Sequence, residues 1–373
     1  FKPMDLKLKN FFKTQFLKKS GSFVKLPNIK GLKISSTSAN FYKKKTRNDI
    51  SLFYFKDGAS HAGVYTKSSV YAECIRWNRN SKSKKVKALF VNTKNANALT
   101  GKQGFESLNK IVKEVSKKIR IKEKEFYFAS TGLIGEKYPI EKIQKKIPEL
   151  LKLNKSISSN NWLKTAKAIM TTDTIAKLSG KTFKINKKTA NIAGIAKGSG
   201  MIFPNMGTML GFIFTDLNIS NSMLKLALKN NLDKTFNAIS VDGDTSTNDM
   251  VLIFSTEQVG NKKITNRQSK EFKIFESNLE IVMKSLAKQI TIDGEGATKF
   301  IEIDVVGAKN YNSARGHAMH GRTTAATSHT KSSSPLHILS ASSSQSPGVT
   351  RGDLKTRHAM LRWMIVGTDV ITS

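Results

Sequence analysis

Short apolar runs alternate along this chain with segments in which apolar residues recur at helical spacing. The short runs are rich in aromatic and β-branched residues, which is typical of buried strands. They are ISLFYF (50–55), KALFVN (87–92), EFYFAS (125–130), GFIFTD (211–216) and MVLIFS (250–255). Because strand and helix patterns alternate, the sequence predicts a mixed α/β protein.

Three longer segments place their apolar residues on one face of a helix. These segments cover residues 139–153, 221–239 and 269–290. The last begins with Ser269, whose hydroxyl suits an N-cap because it can accept a hydrogen bond from a free amide of the first turn. We therefore predict that this helix starts at the serine.

The chain is strongly basic, which raises the question of a nucleic acid or an anionic membrane as partner. Its 373 residues, enough for one large or two closely joined domains, include 63 Lys and Arg against 27 Asp and Glu, a net charge of +36. The lysines stand in pairs and triplets among Asn and Ile, however, without interleaved aromatic residues. A solvated surface shaped by biased codon usage explains that pattern at least as well as a binding face. No apolar run reaches the roughly 18 residues that a membrane-spanning helix needs.

A single cysteine, Cys74, excludes an internal disulfide and argues against a cysteine-based metal site. It fits a reducing cytosol, so we expect a cytoplasmic protein. Residues 1–22 are basic and poor in acidic residues, as targeting peptides are, but they contain no long apolar core and no small-residue cleavage signal. Because the chain begins at Phe1 rather than Met, we interpret it as a fragment or as a start-site artefact.

The composition changes abruptly near Tyr311. Arginine is rare and lysine abundant before this point, whereas the segment after it is rich in arginine and serine and holds five of the six histidines. Such a switch indicates either a disordered tail or a reading-frame error over residues 311–373. The histidines lack Cys or acidic partners at ligand spacing, so we predict no metal site there.

Two apparent motifs do not support the chemistry they suggest. GIAKGSGM (194–201) lacks the Gly-Lys-Ser/Thr ending that a phosphate-binding loop requires. DGDTSTND (242–249) begins like a calcium loop but has Thr247 where the sharp turn needs glycine and Ile253 where a bidentate Glu belongs. A turn in which Asp side chains bond to local backbone explains the second motif better.

Six segments carry motifs that occur in the same order in one known family. They are VNTKNANALTG (91–101), FASTGLIGE (128–136), IMTTDT (169–174), KGSGMIFPNMGTML (197–210), VDGDTSTND (241–249) and DGEGATKF (293–300). Together they resemble the ornithine acetyltransferases, the bifunctional glutamate N-acetyltransferases of arginine biosynthesis. The resemblance covers residues 25–310, and six motifs in order make coincidence implausible.

The resemblance implies an α/β fold of the self-processing N-terminal-nucleophile type, in which mixed sheets pack against helices. Family members are made as one precursor that cuts itself before a threonine, and the matching bond here joins Gly207 to Thr208. The cut would leave an alpha chain (1–207) and a beta chain (208–310), followed by the divergent tail (311–373). The two chains are expected to stay together and to pair again as a heterotetramer.

Self-cleavage makes chemical sense at a threonine. Its hydroxyl can attack the preceding carbonyl and move the acyl group from nitrogen to oxygen, after which water cleaves the ester. The new α-amino group, with an unperturbed pKa of about 7.7–8.0, can then serve as base for the hydroxyl of the same residue. The cut at Thr208 therefore creates the catalyst.

The implied reaction is acetyl transfer from N-acetylornithine to glutamate, with the acetyl group held as an ester on Thr208 between two half-reactions. The resemblance implies neither a metal nor an organic cofactor, and use of acetyl-CoA as a second donor varies within the family. The residues that match the family's functional positions are Thr208 as nucleophile, Thr131 and Gly132 as oxyanion hole, Thr171, Lys197, Thr208 and Glu295 as substrate-binding residues, and Glu295 also as an acidic catalytic residue near the reacting centre.

Three departures from the family pattern change what we expect. Gly207 replaces the usual alanine, and because glycine permits more backbone conformations we predict slower but real self-cleavage. Lys94 stands where a glycine is common, and nothing after Asn310 matches the family's C-terminal Asn-Trp-Gly-Arg segment. Four other polar residues of the motifs are predicted to organise turns rather than to contact substrate: Asn95, Asn97, Asp244 and Asn248.

Two other function classes stay open at this point. A related N-terminal-nucleophile amidohydrolase would share the self-cleavage but would pass the acyl group to water. A basic nucleic-acid-binding protein would retain DNA in a salt-sensitive way and would not process itself at Thr208.

Overall fold

The computed structural model describes residues 25–42, 47–153, 155–156, 159–202, 209–241, 246–297, 299–308 and 359–367. The strands in these residues are β1 (Leu32–Thr37), β2 (Ile50–Tyr65), β3 (Val86–Asn92), β4 (Phe126–Ser130), β5 (Lys155–Ser156), β6 (Lys177–Ile185), β7 (Lys188–Lys197), β8 (Leu210–Thr215), β9 (Ile239–Ser240), β10 (Met250–Ser255), β11 (Lys299–Ala308) and β12 (Ala359–Gly367). The α-helices are α1 (Glu73–Asn80), α2 (Gly101–Ile119), α3 (Ile140–Lys152), α4 (Ser159–Ala168), α5 (Asn221–Leu232) and α6 (Lys270–Ile292). Short 3₁₀ turns occur at Glu123–Glu125 and Phe236–Ala238.

Nine of the described strands form one hydrogen-bonded sheet. Its main order is β4-β3-β2-β10-β8-β7-β6, with β1 pairing to β2 and β5 pairing to β1. The pairs β3–β4 and β8–β10 are parallel, whereas the other neighbours are antiparallel. The predicted α/β architecture of mixed sheets packed with helices is therefore confirmed.

The long strand β2 belongs to two parts of this sheet. Its first half pairs with β1 on one side and β3 on the other, and its second half pairs with β10. The register shifts between Tyr54 and Ala59, where Gly58 has a φ of +77° that glycine adopts without strain. The sequence predicted a strand only over 50–55, but the glycine bends a continuous strand instead of ending it.

Apolar side chains cover both faces of β8 and β10, which are buried along their whole length. On one face, Phe53 stacks on Phe214 with ring centroids 4.9 Å apart, and Trp162 of α4 packs against the same ring. On the other face, α5 and α6 cover the sheet through residues such as Leu228 and Phe275. Burial on both faces explains why these strands are continuous apolar runs in the sequence.

The predicted helix over 269–290 is confirmed as α6. The Ser269 hydroxyl accepts a hydrogen bond from the Phe272 N–H at 3.1 Å, so this serine is the N-cap that the sequence predicts. The predicted helix over 139–153 is confirmed as α3. Both helices carry a strong apolar stripe, which is why the sequence identifies them.

The helix predicted over 221–239 is too long. The structure ends α5 at Leu232 and forms a separate 3₁₀ turn further on. Thr235 has a φ of −132° and a ψ of −94°, outside the helical region, and its N–H donates to the Leu232 carbonyl at 3.2 Å instead of to the Asn231 carbonyl. The prediction was wrong because apolar spacing does not reveal this local hydrogen bond.

A second sheet of described strands has the order β11-β12-β9. Strand β12 lies inside the 311–373 segment, whose composition indicates disorder or a reading-frame error. For residues 359–367 the structure shows a strand antiparallel to β11 and parallel to β9, in line with the apolar run MLRWMIV in the sequence. The rest of that segment lies outside the described residues. Among the described helices, none has the length and apolar character needed to cross a membrane.

Candidate active site

A cavity of about 360 Å³ brings together five residues that the sequence predicts to act on substrate. They are Thr131, Gly132, Thr171, Lys197 and Glu295. The other lining residues are Tyr42, Lys94, Leu133, Thr172, Gly200 and Met201. A larger cavity of about 550 Å³, beside β1 and α4, contains none of the five. The predicted nucleophile and the residue before it, Thr208 and Gly207, lie outside the described residues.

The turn after β4 positions Thr131 and Gly132. The Thr131 and Leu133 amides donate to the carbonyls of Asn92 and Lys94 at 3.1 and 3.0 Å, whereas the Gly132 N–H has no acceptor among the described residues. Gly132 has a φ of +132°, and a Cβ there would lie 2.2 Å from the Lys94 carbonyl carbon. The turn therefore requires glycine, and it leaves one amide available at the wall of the cavity.

Lys197, the last residue of β7, places a buried ammonium group beside this turn. Its side chain is only 2% exposed, and its Nζ donates to the Thr131 hydroxyl at 3.4 Å and lies 3.9 Å from Asp173 Oδ2. Burial lowers the pKa of Lys197, and the nearby Asp173 carboxylate offsets this only in part. A cation with a lowered pKa therefore borders the cavity.

Asp173 ties the turn that carries Thr171 to the end of β7. Its Oδ2 accepts the Thr171 N–H at 3.0 Å and its Oδ1 accepts the Gly198 N–H at 2.7 Å. Burial alone would raise the pKa of Asp173, but Lys177 and Lys197 hold it well below its usual range. The carboxylate therefore stays charged and orients two segments of the cavity wall at once.

Lys177 is wholly buried between two carboxylates. Its Nζ lies 2.6 Å from Asp173 Oδ1 and 2.7 Å from Asp293 Oδ2. Burial alone would lower the pKa of Lys177, but the two carboxylates raise it above that of an ordinary lysine. A buried ion is tolerated when it is paired and hydrogen-bonded in this way. Lys177 thereby joins the segment before β6 to the segment after α6.

Asp293 extends this network to Glu295. Its carboxylate accepts hydrogen bonds from the Thr174 N–H, at 2.9 Å, and from the Thr174 hydroxyl. Its backbone carbonyl accepts the Ser199 hydroxyl at 2.5 Å, and the Ser199 carbonyl accepts the Glu295 N–H at 2.7 Å. The network therefore fixes three of the four segments that carry the predicted residues, and the Glu295 side chain remains exposed.

Sequence reasoning did not identify Asp173, Lys177 or Asp293 as part of the site. In a chain with 63 Lys and Arg, nothing distinguishes a buried lysine from the many solvated ones. The available signal was acidic rather than basic, because only 27 Asp and Glu occur and seven of them, Asp173 and Asp293 included, fall inside the recognised motifs.

The asparagines of the motifs organise turns, as the sequence predicts. Asn95 Oδ1 accepts the Asn97 N–H at 2.8 Å within its own loop. Asn248 Nδ2 donates to the Ser130 carbonyl at 2.8 Å and so holds the end of β4. Asp244, for which the same role is predicted, lies outside the described residues.

Lys94 adopts a backbone conformation that favours glycine, with a φ of +68°. We expect Lys94→Gly to raise the free energy of unfolding by about 1 kcal/mol, because glycine relieves the strain of the left-handed region. Urea unfolding measures this change. Lys137, which is exposed and has no positive φ, is the matched control, and Lys137→Gly should lower the free energy of unfolding. Equal destabilisation in both variants would contradict the prediction.

Comparisons with known proteins cover most of the chain. The ArgJ family model matches residues 33–331, past the composition change at Tyr311. The arginine biosynthesis bifunctional protein ArgJ of Bartonella henselae is 38% identical over 291 residues, which cover 78% of this chain and 70% of that protein. The protein of the same name from Bradyrhizobium diazoefficiens is 41% identical over 298 residues, 79% of this chain and 71% of the relative.

The solved structure of ArgJ from Bacillus halodurans is 31% identical and aligns with 50% of this chain and 95% of its own, with a TM-score of 0.44. Since the family match spans most of the sequence, this chain belongs to the ArgJ family and is an acyltransferase of arginine biosynthesis.

Proposed function

We propose that this protein cuts itself between Gly207 and Thr208 and then transfers acetyl from N-acetylornithine to glutamate through an acetyl ester on Thr208. The observation that carries the proposal is the convergence of five predicted site residues in one cavity. Membership in the ArgJ family explains the motifs, whereas a nucleic-acid-binding function does not explain them.

The strand pairing supports a nucleophile at this cavity. Leu210, the first residue of β8, pairs with Lys197 at the end of β7. Thr208 is two residues before Leu210 in the sequence. The chain that carries the nucleophile therefore reaches the strand end that carries the buried ammonium group.

The turn after β4 suits the charge that develops during acyl transfer. Attack of a hydroxyl on the acetyl carbonyl leaves a negative oxygen, which needs donors already in place. The Gly132 N–H and the Thr131 hydroxyl lie together at the cavity wall and act as this pair of donors. Losing one such donor typically costs about 2.7–4 kcal/mol of barrier.

The two charged residues of the cavity match the two ends of the substrates. Both N-acetylornithine and glutamate carry an α-carboxylate, which the buried Lys197 ammonium binds as a point charge. The exposed Glu295 carboxylate binds the substrate ammonium or moves a proton at the reacting centre. A cavity of about 360 Å³ suits a small amino-acid derivative.

One incubation separates this function from amide hydrolysis. Processed protein is mixed with N-acetylornithine, with and without glutamate, and the products are separated by mass. We expect N-acetylglutamate only when glutamate is present. Release of free acetate at the same rate in both mixtures would instead identify a hydrolase.

The assembly and the location follow from the same proposal. The two chains made by self-cleavage stay together in the cytoplasm and pair again as a heterotetramer. Native mass spectrometry of the processed protein checks this assembly. A mass that corresponds to one alpha chain and one beta chain would contradict it.

Removing the Lys197 charge should weaken substrate binding. We expect Lys197→Met to raise the KM for both substrates about 10- to 100-fold, because a hydrogen bond to a charged group contributes about 1.5–3 kcal/mol. Steady-state kinetics measure this change. Lys181→Met, on the exposed face of β6, is the matched control and should leave both kinetic constants unchanged.

Because the pKa of Lys197 is lowered, we also expect the KM to depend on pH. Lys197 loses its proton at lower pH than an ordinary lysine does, so the wild-type KM should rise as the pH is raised toward 10.5. The Lys197→Met variant has no charge to lose, so that rise should be absent. A wild-type KM that stays flat over this range would contradict the assigned role.

A further inference from the structure

Lys94 lines the active-site cavity, but none of the roles above uses its charge. The charged residues of the described cavity wall are Lys94, Lys197 and Glu295. Lys94 is exposed and forms no ion pair within the part of the chain that the structure describes. Its Nζ lies 5.9 Å from the centre of the Tyr42 ring, near the outer limit of a cation–π contact. The Lys94 ammonium group is therefore available to an anionic group of a ligand.

The backbone places the Lys94 side chain beside the turn after β4. The Lys94 carbonyl accepts the Leu133 N–H at 3.0 Å, and its carbonyl carbon is the atom nearest to a Cβ built on Gly132. With a φ of +68°, Lys94 holds a conformation that glycine would adopt without strain. Strained residues cluster at ligand sites, so this conformation indicates a function for the side chain that glycine cannot supply.

The Tyr42 ring brings a second cation to this side of the cavity. The Arg47 guanidinium carbon lies 4.5 Å from the centre of the same ring. Arg47 is held in place because its Nη2 donates to the carbonyls of Lys167 and Met170, at 3.0 and 2.5 Å, at the end of α4. Two cations therefore lie around one ring of the cavity wall, and they favour an anionic ligand group there.

The charges of the described cavity wall complement glutamate better than N-acetylornithine. Two ammonium groups, of Lys94 and Lys197, and the one carboxylate of Glu295 make this wall positive overall. Glutamate carries two carboxylates and one ammonium group and is negative overall. N-acetylornithine carries one carboxylate and one ammonium group, because its α-amino group is acetylated. Only glutamate can therefore place a carboxylate against each of the two lysines.

We propose that Lys94 makes this protein selective for a dicarboxylic amino acid as acetyl acceptor, by binding the side-chain carboxylate of glutamate. This inference rests on the acetyl transfer proposed above. Lys197 binds the α-carboxylate that both substrates share, and Lys94 binds the group that only the acceptor has. A flexible, exposed lysine suits this role, because its ammonium group moves into solvent when the ammonium group of N-acetylornithine occupies the cavity.

Kinetics with both substrates test the role of Lys94. Lys94→Asn removes the charge with a residue that tolerates a positive φ, whereas Lys94→Arg keeps the charge. We expect Lys94→Asn to lower kcat/KM for glutamate about 10-fold, the lower end of the range for a hydrogen bond to a charged group. The value for N-acetylornithine should stay at that of the wild type, and Lys94→Arg should keep most of the glutamate value.

Two further variants control this experiment. Lys137→Asn changes an exposed lysine outside the described lining of the cavity and should leave both values unchanged. Lys94→Gly removes the same charge as Lys94→Asn and is expected above to be more stable than wild type. Thermal melts show whether each variant is folded, and Lys94→Gly decides the question if Lys94→Asn melts early.

Glutamine as acceptor gives an independent measurement. It has the shape of glutamate but a neutral amide in place of the side-chain carboxylate. In an equal mixture of the two, we expect the wild type to acetylate glutamate about 10-fold faster than glutamine, and Lys94→Asn to lose most of this preference. Mass spectrometry of the two acetylated products measures the ratio.

Two outcomes overturn the inference and leave the acetyl transfer in place. An equal fall of kcat/KM for both substrates in Lys94→Asn would mean that the change acts on the oxyanion turn, which both half-reactions use. A preference for glutamate over glutamine that is the same in Lys94→Asn as in wild type would mean that Lys94 does not bind the acceptor. If the wild type forms no N-acetylglutamate at all, the proposed function fails and this inference fails with it.

Discussion

Replacing Thr208 with alanine is expected to leave the purified chain at full length and to lower acetyl transfer from N-acetylornithine to glutamate about 10³-fold or more. Alanine has no hydroxyl, so neither the attack on the Gly207 carbonyl nor the acetyl ester can form. Without the cut there is also no α-amino group at this residue to act as base. Denaturing gels and mass spectrometry show whether the chain is cut, and an assay for N-acetylglutamate measures the transfer.

Thr208→Ser is the matched control for this prediction, because it keeps a hydroxyl in the same place and loses only a methyl group. We expect it to cut itself and to transfer acetyl, both more slowly than wild type. A Thr208→Ala chain that still divides between residues 207 and 208 would show that another nucleophile makes the cut. If acetyl label never becomes covalently attached to Thr208 in the wild type, the ester intermediate is excluded.

How far the sequence predicts the fold depends on how many faces of each strand are buried. β10 matches its predicted bounds of 250–255, because burial on both faces leaves an unbroken apolar run. β6 and β7 were missed, because Lys, Gly and Thr interrupt their apolar residues and part of β6 faces solvent. Their hairpin turns at Asn186, whose φ is +53°, and a single Asn-Lys pair is a weak turn signal.

The sequence also predicts only part of the candidate site. The five cavity residues follow from motifs, because a motif preserves the side chains that reach a common cavity. The charge balance of the buried network around the cavity does not follow from the motifs, because it depends on which lysines are buried. Lys177 and Lys197 face Asp173 and Asp293 with two charges of each sign, and only the three-dimensional arrangement pairs them.

Gly132→Ala should be the most damaging substitution at the cavity wall that keeps every functional side chain. A Cβ at this position would lie 2.2 Å from the Lys94 carbonyl carbon, and backbone cannot move aside as a flexible side chain can. We expect the free energy of unfolding to fall by about 1–3 kcal/mol. We also expect kcat to fall about 10²- to 10³-fold, because the turn then shifts the amide that faces the developing oxyanion. Urea unfolding and steady-state kinetics measure the two effects.

Gly135, three residues further along the same loop, separates loss of the donor from general strain. Its φ is +77°, and no atom lies within 4 Å of a Cβ built there, so Gly135→Ala introduces strain without a clash. We expect Gly135→Ala to lose about 1 kcal/mol of stability and to keep its kcat. An oxyanion donor acts only in the transition state, so the loss in Gly132→Ala should fall on kcat rather than on KM. If Gly132→Ala loses stability but keeps its kcat, then this turn is structural and the oxyanion is held elsewhere.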